Sequence, residues 1–243
     1  MHEEYKRIVA HSDKAILFVH GILGTPNHFK QLIALIPEDI SVYNILLEGH
    51  GKGVKDFSHA SMKKWEAQVA AAVAELGRDH KEVRIVGHSM GTLLAIGQAA
   101  ANPKITKLFL LAVPLKLALK PKMLTNSLRV YFNKMDPKNE EQMAAKQCYG
   151  ITDSKNIFLY LGWVPRFLEL FSKIRATRKL IGQVSVPCFA FQSAKDEMVS
   201  RRSTALLQKN PAISVTELKN SGHYYYEKQD LALIEESFAA FIS

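Results

Sequence analysis

Apolar residues alternate between two patterns along this chain. Short, largely apolar runs occupy Ala15–Val19, Val42 to Leu47, Val83 to Val86, Ile105 to Val113 and Val186 to Phe191. Their length and continuity predict strands buried on both faces. Between them, apolar residues recur every three or four positions. One such set, Phe29, Leu32, Ile33 and Ile36, predicts a helix. Another runs from Met62 to Leu76, with Ser61 placed to cap it. A third helix opens after Ser89 and runs to about Ala101, with Pro103 just beyond. A strand over Ile213–Leu218, helices over roughly 201–209 and from about Asp230 to Ile242, and an edge strand from Tyr5 to Ala10 complete the reading. Strict strand–helix alternation predicts an α/β fold: a mostly parallel sheet with helices on both faces.

The alternation stops over residues 114–182. That segment is helical in propensity, shows no strand pattern, and is interrupted at Pro121, Pro137, Gly150 and Pro165. It reads as a helical cap inserted into a core made of 1–113 and 183–243. An insertion there lies over the ligand crevice at the C-terminal ends of parallel strands. Its stretch from Phe158 to Phe171 is dense in aromatics and leucine. Most of these side chains are expected to pack the cap onto the core, and some, Trp163 among them, to face substrate.

Composition sharpens the picture in three places. A chain of 243 residues, 47% hydrophobic, suits one large domain or a core plus an insertion. The two cysteines, Cys148 and Cys188, make neither a metal-ligand pattern nor a disulfide framework, and a reduced cytoplasm is the expected compartment. The charged N-terminus lacks an apolar signal region, and no run of 18 apolar residues predicts a membrane span. The formal net charge is +9, and it is unevenly placed: 13 of the 32 Lys and Arg but only 5 of the 23 Asp and Glu fall within 114–182. This segment is either a solvated basic surface or one drawn to anionic membranes or anionic substrates. No binding motif accompanies the charge, so nucleic acid is not an expected partner.

The chemistry centres on Gly87–His88–Ser89–Met90–Gly91, where an apolar strand meets a helix. Gly-x-Ser-x-Gly in that context is a nucleophile elbow, with glycines where a β-carbon would strike the strand or helix. The serine hydroxyl then stands at a helix N-terminus, which favours developing negative charge. A serine needs a base, and the base an orienting carboxylate. Asp196 follows one strand, and is favoured over its neighbour Glu197 as that carboxylate. His223 follows the last strand in Ser221–Gly222–His223, where Gly222 allows the turn. The loop His20–Gly21–Ile22 is placed to supply a second oxyanion donor. Backbone N–H groups of Ile22 and Met90 are the expected pair, with both side chains lining an acyl pocket. His20, His50 and His88 are read as structural.

His20–Gly21, Glu48–Gly49–His50–Gly51, Gly87–His88–Ser89–Met90–Gly91, Asp196 and Ser221–Gly222–His223 together resemble the α/β-hydrolase superfamily. Within it, the chain is similar to bacterial carboxylesterases and the monoacylglycerol lipase group. It departs from them at Glu48, where relatives usually carry proline. The resemblance implies a Ser–His–Asp enzyme acting on small-molecule esters, with no metal or organic cofactor. A lipase at a lipid interface, an amide, thioester or C–C hydrolase of the same fold, and a membrane- or partner-binding module remain as alternatives.

Overall fold

The computed structural model describes residues 2–118 and 135–243. The expected interruption at Pro121 lies outside them. Seven strands form one sheet in the order β1-β3-β2-β5-β6-β8-β9: β1 (Tyr5–Arg7), β2 (Lys14–Val19), β3 (Ser41–Ile45), β5 (Glu82–His88), β6 (Ile105–Leu111), β8 (Cys188–Ser193) and β9 (Ile213–Leu218). Only β1 runs antiparallel, on the β3 edge.

Strand periodicity explains why these runs are apolar throughout. Ala15, Leu17 and Val19 point into one buried cluster, while Ile16 and Phe18 point into another on the opposite face. In β6, Leu108 and Leu110 divide from Phe109 and Leu111 in the same way. The first cluster is closed by α3 (Met62–Asp79), α4 (Met90–Ala101) and α6 (Val164–Leu180), through Trp65, Val69, Leu93, Leu94, Leu170 and Ile174. The second is closed by Phe29 and Leu32 on one side and by Ile234, Phe238 and Phe241 of α8 (Lys228–Ile242) on the other. Phe18, Phe29, Phe109, Phe238 and Phe241 meet there at ring separations between 5.2 and 6.4 Å.

Several expectations are corrected. The helix predicted through Ile36 is a 3₁₀ turn over Pro26–Phe29 followed by a single α-turn, α1 (Lys30–Ile33). Pro37 follows Ile36, and a residue before proline is pushed out of the helical region. Ser61 does cap α3, its Oγ accepting from the Lys64 N–H at 3.2 Å. The segment 114–182 contains a strand after all. β7 (Ile151–Thr152) pairs in parallel with β4 (Lys52–Gly53), just before the short helix α2 (Val54–His59). The same segment holds α5 (Glu140–Cys148), and it supplies α6, which packs on α3 and α4 as the crossover between β6 and β8. The apolar stretch before and within α6 is not all packed on the core: Phe158, Leu161, Val164, Leu168 and Phe171 are exposed.

Both cysteines are free and buried. Among the described residues no helix is long and apolar enough to cross a membrane.

Candidate active site

β5 delivers Ser89 from the middle of the sheet, between β2 and β6. The serine stands at the junction of β5 and α4 with φ 50° and ψ −121°. A non-glycine residue held there stores about 1–3 kcal/mol of strain, which its surroundings must impose. They do so by backbone bonds on both sides. The Ser89 N–H donates to the Leu111 carbonyl at 2.9 Å, and the Ser89 carbonyl accepts from the Thr92 N–H (2.9 Å) and hydroxyl (2.6 Å). The turn is so tight that a β-carbon at Gly91 would lie 1.9 Å from the Val19 carbonyl oxygen, and one at Gly87 would lie 2.9 Å from the Gly91 backbone. One at Gly21 would strike the Ser89 β-carbon at 2.9 Å, so the loop after β2 touches the serine itself. Ser89 is 7% exposed.

The two strands beyond β6, on the far side of the sheet, bring the acid and the histidine. Asp196 follows β8 and His223 follows β9, both at the C-terminal ends. His223 Nδ1 and Asp196 Oδ2 lie 2.8 Å apart, with both side chains 1% exposed. Asp196 Oδ1 accepts the N–H groups of Met198 (2.7 Å) and Val199 (2.8 Å), which fixes the carboxylate. Glu197, the alternative acid, has a different place: its Oε2 accepts the His223 backbone N–H at 3.2 Å. Burial disfavours charge on His223, but the Asp196 carboxylate, by charge and hydrogen bond, outweighs it with help from Glu197. The imidazole is held above its ordinary value. Burial likewise opposes charge on Asp196, and the His223 charge and the hydrogen bonds bring its carboxyl below the usual range. With Nδ1 engaged, His223 Nε2 is buried and makes no hydrogen bond.

The loop carrying His223 is anchored by a residue that sequence reasoning assigned only to a helix start. Asp230, buried in the first turn of α8, accepts the N–H groups of Lys219 (3.2 Å) and Asn220 (2.7 Å) and the Ser221 hydroxyl (2.7 Å). An acid early in a helix was legible, but its three loop partners were not.

The loop from His20 to Leu23 is braced by two buried imidazoles. His20 Nε2 accepts the Leu47 N–H at 3.1 Å, so Nδ1 carries the proton and donates to the Gly21 carbonyl at 2.9 Å. His50 Nε2 accepts the Leu23 N–H at 3.2 Å, and its Nδ1–H faces the Leu47 and Glu48 carbonyls. Burial pushes His20 down to about 4 and His50 well below its ordinary value, so both stay neutral. His88 donates from Nε2 to the His223 carbonyl at 3.0 Å and is lowered in the same way by burial. Leu23 is left-handed (φ 57°), and its carbonyl accepts the Gly150 N–H at 2.8 Å. Gly150 in turn accepts the Gly51 N–H at 2.7 Å.

Met90 is the first residue of α4, so its N–H has no acceptor within the helix. The Met90 and Ile22 side chains are buried in the main core cluster. Trp163 is also buried; its indole N–H donates to the Val54 carbonyl at 3.1 Å, and its ring packs 5.1 Å from Phe57. A surface groove of about 410 Å³ between α3, α4 and α6 contains none of these residues. No cluster of His, Cys, Asp and Glu suited to a metal ion occurs among the described residues.

The sequence profile of the Alpha/beta hydrolase family matches residues 16–236. No curated protein sequence matches the chain. Solved structures do. A metagenome-derived lipolytic enzyme of the LipS and LipT pair superposes with a TM-score of 0.75 at 20% identity, over 99% of this chain and 97% of its own. The monoacylglycerol lipase of Paleococcus ferrophilus gives 0.68 at 16% identity, over 99% and 98%. A carboxylesterase of the thaumarchaeon Nitrososphaera gargenis gives 0.66 at 14% identity, over 98% and 94%.

Proposed function

The chain belongs to the alpha/beta hydrolase family, and from that premise we propose that it cleaves carboxylic esters of small or medium acyl chains by a Ser89–His223–Asp196 acyl-enzyme mechanism. The observation that carries the proposal is His223 itself. One ring nitrogen is bonded to a buried carboxylate, and the other is buried without a partner, while the His223 backbone carbonyl is held by His88, the residue before the strained Ser89. The enzyme neighbours, a lipase, a carboxylesterase and a lipolytic enzyme, favour esters over amides or C–C bonds.

In this reading His223 Nε2 takes the Ser89 proton as Oγ attacks the ester carbonyl. Asp196 holds the tautomer that leaves Nε2 basic and stabilises the imidazolium that forms. The N–H groups of Met90 and Ile22 receive the oxyanion, the first at the positive end of α4. His223 then protonates the leaving alcohol. Water, activated by the same imidazole, releases the acid and restores Ser89.

The test is hydrolysis of p-nitrophenyl esters from acetate to palmitate, with Ser89→Ala run alongside. Rates peaking at short or medium chains and lost by about 10⁶-fold in the variant are the expected result. Full activity in Ser89→Ala would remove the serine from the mechanism. A preference for palmitate above its solubility limit would move the assignment to a lipase.

A further inference from the structure

The stretch Ile157–Phe171 is apolar all round. Its only ionisable side chains besides Tyr160 are Arg166 and Glu169. An ordinary surface helix turns such residues to water and its apolar face to the core. Here the charged pair is turned inward. Arg166 donates to the carbonyls of Ser58 (2.9 Å) and Ala60 at the end of α2, and pairs with Glu169 at 2.7 Å. Glu169 Oε2 accepts the N–H of Met62, the first residue of α3, at 2.8 Å. The pair thus satisfies the last carbonyls of one helix and the first N–H of the next. With its polar residues spent on these helix ends, the segment sets Ile157, Phe158, Leu161, Val164, Leu168 and Phe171 toward solvent, between 40% and 74% exposed. From Phe158 onward these residues follow at steps of three and four, which places them along one ridge with Ile157 at its start.

We propose that this ridge docks on an anionic lipid surface. A contiguous exposed apolar face marks a binding surface, and basic residues border this one. Lys155 lies two residues before the ridge, and Lys55 lies on α2, which packs against Ile157–Trp163. Lys55 and Lys155 are both exposed. The nearby exposed acid, Asp56, accepts the Gly53 N–H. Lysines rimming an apolar ridge match anionic headgroups over an acyl layer. In a symmetric pair of copies the same lysines would face one another, which disfavours a second chain as the occupant. The seat on the membrane is therefore an apolar ridge with a basic border, and not the net charge of the segment as such. This inference does not rest on the hydrolytic reading.

Cosedimentation of the full chain with vesicles tests it, using phosphatidylcholine alone and phosphatidylcholine mixed with phosphatidylglycerol. The wild type is expected to partition onto the mixed vesicles as a monomer. Phe158→Glu/Leu161→Glu/Leu168→Glu should lower that partitioning about tenfold or more with an unchanged melting temperature, since all three side chains are exposed. Lys55→Glu/Lys155→Glu should weaken binding to the mixed vesicles and leave the chain folded. Failure of the wild type to bind, or equal binding by the triple variant, overturns the proposal. So does a wild-type dimer in light scattering that the triple variant converts to monomer, since a second copy would then cover the ridge. Running Ser89→Ala in the same assay keeps the result independent of catalysis.

Discussion

Asp196 and His223 are 27 residues apart in sequence and 2.8 Å apart in space, each sealed from solvent. Two loops following adjacent parallel strands, β8 and β9, create that contact, and it sets the acid–base behaviour of the site. Because the carboxylate holds His223 above its ordinary value near 6.5, the imidazole becomes neutral only as pH rises past that raised value. The acidic limb of kcat/KM is therefore expected above pH 6.5. Asp196→Asn removes the charge that raises it. The limb should move to lower pH, while kcat falls about 10⁴-fold. A pH–rate profile of the two proteins checks both. The stability linkage has the opposite sign: a raised histidine stabilises the fold below its unfolded value, and this contribution is lost as pH rises through the folded one.

Glycine substitutions near Ser89 should separate folding from catalysis. Gly91→Ala drives a β-carbon into the Val19 carbonyl and is expected to destabilise the protein by about 3 kcal/mol or more. Gly21→Ala pushes instead on the Ser89 β-carbon, so activity should fall further than stability does. Gly182→Ala meets nothing within 4 Å and should leave both within about 1 kcal/mol of wild type. Thermal melts and ester hydrolysis on the three variants give the comparison.

His50→Phe keeps a ring of similar bulk but withdraws the acceptor of the Leu23 N–H. A loss of about 1–3 kcal/mol in stability follows from a buried unpaired donor. The neighbouring Ile22 N–H loses its fixed direction, so kcat should drop while KM changes little. His50 is neutral across the working range, so the shape of the pH profile should not change.

Asp230→Ala abandons two backbone N–H groups and a hydroxyl at the base of the His223 loop. A stability loss of about 2–3 kcal/mol is expected, together with reduced kcat. Denaturant melts and steady-state kinetics would reveal both. Loss of activity with full stability would show that the loop holds itself.

The strands were legible because burial on both faces leaves a continuous apolar run, as in Ala15–Val19, and the elbow because Gly87 and Gly91 are sterically required. Short elements were not. β7 has two residues and α2 fewer than two turns, so neither can display a period; the pairing of β7 with β4 sits beside the backbone bond between Gly51 and Gly150. The run Phe158–Phe171 misled because apolar residues usually signal burial. The direction it faces was decided by Arg166 and Glu169 finding helix ends 107 and 108 positions away. Such choices are tertiary, and no local pattern records them.

Gly150 joins two loops at once, its N–H on the Leu23 carbonyl and its own carbonyl on the Gly51 N–H. A β-carbon there would lie 2.2 Å from the Thr25 methyl, so there is no slack in the joint. The middle of the segment 114–182 is thus stitched to the loop that touches Ser89. Displacing the segment at this point would pull on Leu23, the residue after Ile22, and in the proposed mechanism would reach the second oxyanion donor. Whatever the outer surface of the segment becomes, a side chain at Gly150 would therefore be felt first in the loop beside Ser89.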